Sequence, residues 1–401
     1  MRKPRHATGP LMFWQRSNFR SAALRVPIIR RMERPVLRPL EAWPVNRNGK
    51  MLLKLRDASR LSDFEAMLPP EVAAVVDLFD GERTRDEICT AFQQRYRQPL
   101  SRPALDALIE QLDGAFLLDS ERFRQYSAGV FAEFARAPVR MPLFAGASYP
   151  AKAAELTKQL DAHFDPPNGP GRATSTSGTR PRAIIAPHLD FARAGAAYAW
   201  AYRPVADAAD DVPDLAIIFG SDHGGFEQPF TLTRKDFETP LGRLVTDVDL
   251  VDQLARETAD PEAGGENDDL FSEEHHHRGE HTIEFHAVWL KHVYGARTER
   301  MKILPILCGS LADYFAGDKD PAKARSVGGF LEKLAAAVEG RKVLWIASAD
   351  LAHVGPQYND PQPVDQADRL SLEKRDNETL APVLKGDAAG WFQELRRERD
   401  R

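Results

Sequence analysis

Cysteine is almost missing from this 401-residue sequence. Cys89 and Cys308 are its only two; they lie far apart and form no CxxC pair. That argues against a disulfide framework or a thiolate zinc site, and fits a reducing cytoplasm. Long apolar runs are missing as well. None approaches the roughly 20 residues that cross a bilayer, so no membrane partner is expected. Neither sign of charge dominates: 54 Lys and Arg against 59 Asp and Glu leave a formal net charge of −5. That gives no global reason to expect a nucleic-acid partner. The 43% hydrophobic and 28% charged content is that of a globular chain, and the length suggests two or three domains with ample core.

Acid is also absent from the first 32 residues, which hold eight Arg or Lys around one short apolar patch, Leu11-Met12-Phe13-Trp14. A secretory signal needs a longer apolar region and a small-residue cleavage site. Residues 1–39 are therefore read as a basic, disordered extension, with a targeting peptide or docking arm as the functional alternative.

Residues 40–126 read as a small helical unit. Pro69-Pro70-Glu71 opens a segment with Val72, Val75, Val76 and Phe79 on one face. Thr84-Arg85-Asp86-Glu87 has the form of a capping box, leading into Ile88, Ala91, Phe92 and Tyr96. Ser101 and Pro103 open a third helix carrying Leu105, Leu108, Ile109 and Leu112. Ala115-Phe116-Leu117-Leu118 then reads as a strand, which completes a winged-helix outline. Between residues 68 and 125 there are eleven acids against seven arginines, whereas a DNA reader needs a basic face. The unit suits peptide or protein docking instead. Residues 127–140 read as a linker.

From residue 141 the texture changes. Ala183-Ile184-Ile185-Ala186, Leu215-Ala216-Ile217-Ile218-Phe219, Met301-Lys302-Ile303-Leu304-Pro305-Ile306-Leu307 and Val343-Leu344-Trp345-Ile346-Ala347 are short apolar runs between polar loops. Helical stretches over 192–202, 248–257, 282–294 and 322–338 separate them. This alternation predicts an α/β fold, a central sheet flanked by helices, over 141–401.

Nine of the eleven histidines follow residue 187, and several sit just past these runs. His188 follows a strand and Pro187, with Asp190 placed to orient its ring. His223 follows the next strand, with Asp222 before it and Gly224-Gly225 after. Glu280-His281 stands at a helix entrance, and Asp350 and His353 lie in the loop after the last strand. Strand ends at one sheet edge are where α/β proteins place ligands. Imidazole and carboxylate without thiolate is the donor chemistry of non-haem iron or zinc, with copper as an alternative, and the same groups can do acid–base work. The run His275-His276-His277 cannot direct all three rings at one ion and reads as a solvated loop. Glu284 and His286 read as helix-surface or packing residues.

The motifs resemble those of the Memo-like family, known in prokaryotes as protein B of the AmmeMemoRadiSam system. They are Ala145-Gly146-Ala147-Ser148-Tyr149-Pro150, Ala186-Pro187-His188, Thr239-Pro240-Leu241-Gly242, Glu280-His281-Thr282-Ile283-Glu284 and Ser348-Ala349-Asp350-Leu351-Ala352-His353. The family's Gly-Pro-Asn/Ser-His segment appears, altered, as Gly220-Ser221-Asp222-His223. The 40–126 unit is similar to PqqD-like winged helices through its Leu-Pro-Pro-Glu-Val entry and Phe-Asp-Gly-Glu-Arg-Thr turn.

The resemblance implies a fold similar to the class III extradiol dioxygenases and a metal-capable cleft holding iron first, copper or zinc otherwise. His188 and His223 would be ligands, with His281 as the third or Asp350 in its place. His281, Asp350 and His353 would be the acid–base groups. A cysteine found in animal members is Ala352 here, which weakens copper or thiolate chemistry. Relatives continue past the Asp376-Asn377-Glu378-Thr379 region with a further segment and final strands, so this chain is expected to stop short of them. The function implied is redox or dioxygenase-like chemistry. The alternatives are an adaptor for a radical-SAM or AMMECR1-type partner protein or peptide, and zinc-dependent hydrolysis.

Overall fold

The computed structural model describes residues 13–16, 32–57, 59–62, 64–225, 228–259, 269–316, 319–358, 360 and 362–398. Most of the basic 1–39 segment therefore lies outside the described residues. Two compact units divide the chain, 1–133 and 134–401.

The first unit pairs β1 (Phe13–Arg16), β2 (Glu41–Arg47), β3 (Lys50–Arg56) and β4 (Phe64–Leu68) as an antiparallel sheet in the order β1-β4-β3-β2. Three helices follow, α1 (Pro70–Val76), α2 (Arg85–Tyr96) and α3 (Arg102–Gly114). The Thr84/Glu87 capping box is formed, and Ser101 caps α3. Val72, Val75, Val76, Ile88, Leu105, Leu108, Ile109 and Leu112 share one core.

Three features differ from the sequence reading. The β2–β3 hairpin was not expected, although Asn48-Gly49 signals it. Both residues have positive φ, which a two-residue turn matched to strand twist requires. The expected strand at 115–118 is not a ladder strand: Phe116 takes a left-handed φ of 57°, and only Leu118 makes an isolated bridge, to Leu37. The expected linker 127–140 is largely occupied by α4 (Glu121–Arg136).

The second unit begins with β5 (Val139–Arg140), α5 (Ala153–His163), β6 (Ala183–Ala186), α6 (Phe191–Ala206) and β7 (Leu215–Ser221). Three short strands follow, β8 (Phe230–Leu232), β9 (Asp236–Phe237) and β10 (Val245–Thr246). Next come α7 (Val248–Thr258), the single turn α8 (His276–Gly279), α9 (Thr282–Tyr294) and β11 (Lys302–Cys308). The chain continues through α10 (Ala312–Ala316), α11 (Phe330–Ala337), β12 (Val343–Ser348), α12 (Gln366–Leu384) and α13 (Ala388–Glu398). The single helix expected over 322–338 is a 3₁₀ turn, a π turn and α11.

The central sheet runs β10-β11-β7-β12-β6, all parallel, with β8 antiparallel against β11. Alternation along the buried strands sends Ala216 and Ile218 of β7 into one core and Leu215 and Ile217 into the other. α5, α6 and α9 cover the first face, while α7 and α11 cover the second. Because β6, β7 and β12 are parallel, their C-terminal ends emerge at one edge. No described helix is long and apolar enough to cross a membrane.

Candidate metal centre

Three strand exits and one helix entrance build the site. β6 leads into Pro187-His188, β7 into Asp222-His223, and β12 into Ala349-Asp350. The start of α9 is fastened to two of these strands: Thr282 Oγ1 donates to the Ser221 carbonyl at 2.9 Å, and Ser348 Oγ donates to the Thr282 carbonyl at 2.9 Å. Gly220 permits this close approach, since a Cβ there would lie 2.7 Å from Ile283 Cγ1. His281, immediately before α9, is thereby held over the ends of β7 and β12.

The rings of His188, His223 and His281 converge, with centroids 5.2 Å (His188–His223), 5.6 Å (His188–His281) and 5.2 Å (His223–His281) apart. Each presents its Nδ1 to an acceptor. Glu280 Oε2 lies 2.9 Å from His223 Nδ1, and Glu280 Oε1 lies 3.0 Å from His281 Nδ1. The same carboxylate accepts from the backbone N–H groups of His223, His281 and Thr282, at 3.0, 2.7 and 3.2 Å. Burial works against its charge, but the hydrogen bonds from His223 and His281 outweigh it and hold Glu280 well below the usual carboxylate range. Burial also disfavours a charged His223, yet Glu280 reverses the balance and raises its pKa.

His188 is buried. Its Nδ1 lies 3.3 Å from the Ser348 carbonyl oxygen and 3.4 Å from Ser348 Oγ. The Ser348 hydroxyl spends its proton on Thr282, so both serine oxygens face the ring as acceptors and Nδ1 carries the hydrogen. Nε2 then holds a lone pair, and it faces Asp350 Oδ2 at 3.3 Å. Burial lowers the His188 pKa to about 4, so no second proton fills that gap at neutral pH. A lone pair opposite a carboxylate is a cation-seeking arrangement.

Asp350 also accepts from the His188 backbone N–H at 3.2 Å and lies 3.5 Å from His353 Nε2. Burial would raise its pKa, but the hydrogen bond from His353, the electrostatic pull of His188 and the His188 backbone N–H together hold it below the usual value. His353 is half exposed, so it stands at the mouth of the cluster.

The donor set could hold a metal ion. Three imidazoles whose Nδ1 atoms are engaged keep three Nε2 lone pairs, and a carboxylate or carbonyl behind each ring fixes its tautomer. Donor atoms of His223, Glu280 and His281 lie within 4.8 Å of one another, a His/carboxylate group that could hold a metal ion, with His188 outside that group of three.

Asp190 and the His275–His277 run fall differently from the sequence reading, while Glu284 and His286 agree with it. Asp190 does not orient His188; it caps α6 through the Arg193 N–H and pairs with the Arg193 side chain. The His275–His277 run is not a solvated loop. His277 is buried with Nε2 3.0 Å from the Thr231 carbonyl, and His276 Nδ1 lies 2.8 Å from Asp222 Oδ2. Glu284 and His286 are packing residues: His286 is fully buried against Tyr202, and Glu284 pairs with Arg140 and Tyr149.

Sequence reasoning passed over Arg140. Its guanidinium, also buried, donates to the carbonyls of His277 (3.0 Å) and Glu280 (2.8 Å), clamping the turn that carries the site. Nothing in its local sequence marks it, because its partners lie some 140 residues away.

A doubly covered parallel sheet with a histidine and carboxylate cluster at its C-terminal edge defines an α/β protein with a metal-capable site. Residues 140–401 match the family model for Memo-like proteins, and the chain belongs to that family. Among similar proteins, a MEMO1 family protein of Aquifex aeolicus is 25% identical over 302 residues, covering 75% of this chain and 71% of its own length. Another, of Methanococcus maripaludis, is 29% identical over 251 residues, 61% of this chain and 80% of the relative. One from Methanopyrus kandleri is 29% identical over 262 residues, 64% and 80% respectively.

Proposed function

We propose that this chain binds one iron ion through His188, His223 and His281 and uses it in dioxygenase-like or other redox chemistry, with Asp350 and His353 as the proton-handling pair. The observation that carries this reading is the Nδ1 pattern. All three rings turn Nδ1 toward a protein acceptor, which leaves every Nε2 as a lone-pair donor. Glu280 then acts from behind the ligands, raising their basicity and fixing their angle, with Asp350 kept as the alternative third ligand.

Bound iron would supply Lewis acidity and one-electron chemistry. The protein's own part is proton transfer and orientation. Asp350 Oδ2 lies between His188 and His353, so a substrate proton taken by His353 is stabilised by the adjacent carboxylate. The open side of His353 gives the proton a route to solvent.

Similarity to the extradiol dioxygenase fold and to a PqqD-like docking unit is part of the same proposal. A cluster at the C-terminal edge of a parallel sheet supports the first. The acid surplus of residues 68–125 supports the second, with a radical-SAM or AMMECR1-type protein or a peptide as partner. The cytoplasm is the compartment proposed.

Metal analysis of protein purified without added metal tests the reading, for wild type and for His188→Ala/His223→Ala. Stoichiometric iron that disappears in the double variant is the expected result. No metal in either protein overturns the reading and favours a non-catalytic adaptor, and zinc in place of iron moves the chemistry to hydrolysis.

A further inference from the structure

Beside the three-histidine cluster lies a second group of donors that the proposed function does not use. Oxygen or nitrogen atoms of Asp222, Glu273 and His276 lie within 4.8 Å of one another. Asp222 and Glu273 are both buried, while the His276 side chain keeps a fifth of its surface exposed. We propose that these three residues form a second cation site, taking a divalent transition-metal ion of the Mn2+ or Zn2+ class. Once a metal ion displaces the proton between His276 and Asp222, two carboxylates and a neutral imidazole bring two negative charges, which a divalent ion balances. Mixed oxygen and nitrogen donors are the ligand set such ions accept.

The backbone builds the two groups as a pair. The exit of β7 gives Asp222 to the second group and His223 to the first. The α8 turn gives His276 to the second group, and the residues just after it give Glu280 and His281 to the first. Asp222 Oδ2 lies 2.8 Å from His276 Nδ1. Two donors about 2.1 Å from one ion, at right angles, would stand about 3 Å apart, so this separation needs little adjustment to accept a metal. Asp222 is held from behind: its Oδ1 accepts from the Gly224 N–H at 3.0 Å, and a Cβ on Gly225 would lie 2.6 Å from its Cγ. Glu273 Oε2 accepts from the Gln228 N–H at 3.3 Å. The exposed edge of His276 leaves an entry path.

Mn2+ titration of the full chain, followed by electron paramagnetic resonance of the free ion, tests the proposal. The His188→Ala/His223→Ala protein should still bind one Mn2+. Adding Glu273→Gln or His276→Gln to it should weaken that binding at least tenfold. An unchanged affinity in these variants, or no binding by the double variant, overturns the proposal. Should the added substitutions impair folding, pulsed measurements on the Mn2+-loaded double variant should show coupling to one imidazole nitrogen; none overturns the site. Iron content reads the first site separately. Wild-type protein without iron but with Mn2+ bound here would end the iron reading and leave this one standing.

Discussion

Glu280 Oε2 accepts from both the backbone N–H and Nδ1 of His223, at 3.0 and 2.9 Å, so one oxygen fixes the main chain and ring of the same residue. The other oxygen does the same for His281, at 2.7 and 3.0 Å. One buried carboxylate thus sets two imidazoles that stand on different elements, at the exit of β7 and at the entrance of α9.

Glu280→Gln should preserve shape while losing the acceptor that holds one of the two Nδ1–H groups. Iron or zinc affinity is expected to fall about 10–100-fold, the usual cost of removing a partner behind a histidine ligand. Competition against a chromophoric chelator would measure it, and an unchanged affinity would remove Glu280 from the site.

Arg140→Ala leaves Glu284 buried without its cation and frees the carbonyls of His277 and Glu280. Breaking a buried pair from one side costs about 3–5 kcal/mol. Urea unfolding followed by circular dichroism should show that loss as a lower midpoint. A change under about 1 kcal/mol would mean that the clamp contributes little.

Gly220→Ala places a methyl group against Thr282 and Ile283 at the start of α9. Overpacking of this kind costs about 1–3 kcal/mol. Because α9 also carries the approach to His281, metal affinity should fall together with stability. Thermal melting and metal titration of one preparation would read both, and a loss of stability alone would separate α9 seating from the site.

Acid should destabilise the metal-free protein from about pH 6.5 downward. Burial lowers the pKa of His188 and His277 to about 4 and of His286 to about 3. Unfolded, each takes up a proton near 6.5, so the unfolded state binds more protons between that value and the folded pKa. Stability from these three is therefore complete above pH 6.5 and drains away as pH falls toward 4, at up to about 1.4 kcal/mol per pH unit for each. His223 and His276 act oppositely, since their pKa values are raised: their stability is complete below 6.5 and is lost as pH rises through the folded value. Urea midpoints from pH 4 to 8 should rise through the acid range, and a flat profile there would contradict the burial of the first three.

Much of the second unit was legible because its signals are local. The apolar runs of β6, β7, β11 and β12 mark buried strands, and a histidine two residues beyond β6 or β7 already stands at the sheet edge. The first unit was read less well. The Thr84 box and Ser101 cap are short-range patterns, and both formed. The Ala115–Leu118 run looked like a strand from its apolar residues, but Phe116 turns left-handed and breaks the ladder. Periodicity reports burial, not hydrogen-bond partners.

The sequence by itself determined the alternation of strands and helices, the cores on the two sheet faces, and the presence of histidines at strand exits. All of these follow from side-chain spacing within a few residues. Only the tertiary structure decided which histidine rings converge, that Ser348 rather than Asp190 holds the His188 ring while Glu280 sets His223 and His281, and that His276 turns to Asp222. Asp350 reaches His188 across 162 residues and Arg140 reaches Glu280 across 140. Contacts at such separations are set by parallel strand order and by the seating of α9, which no local pattern encodes.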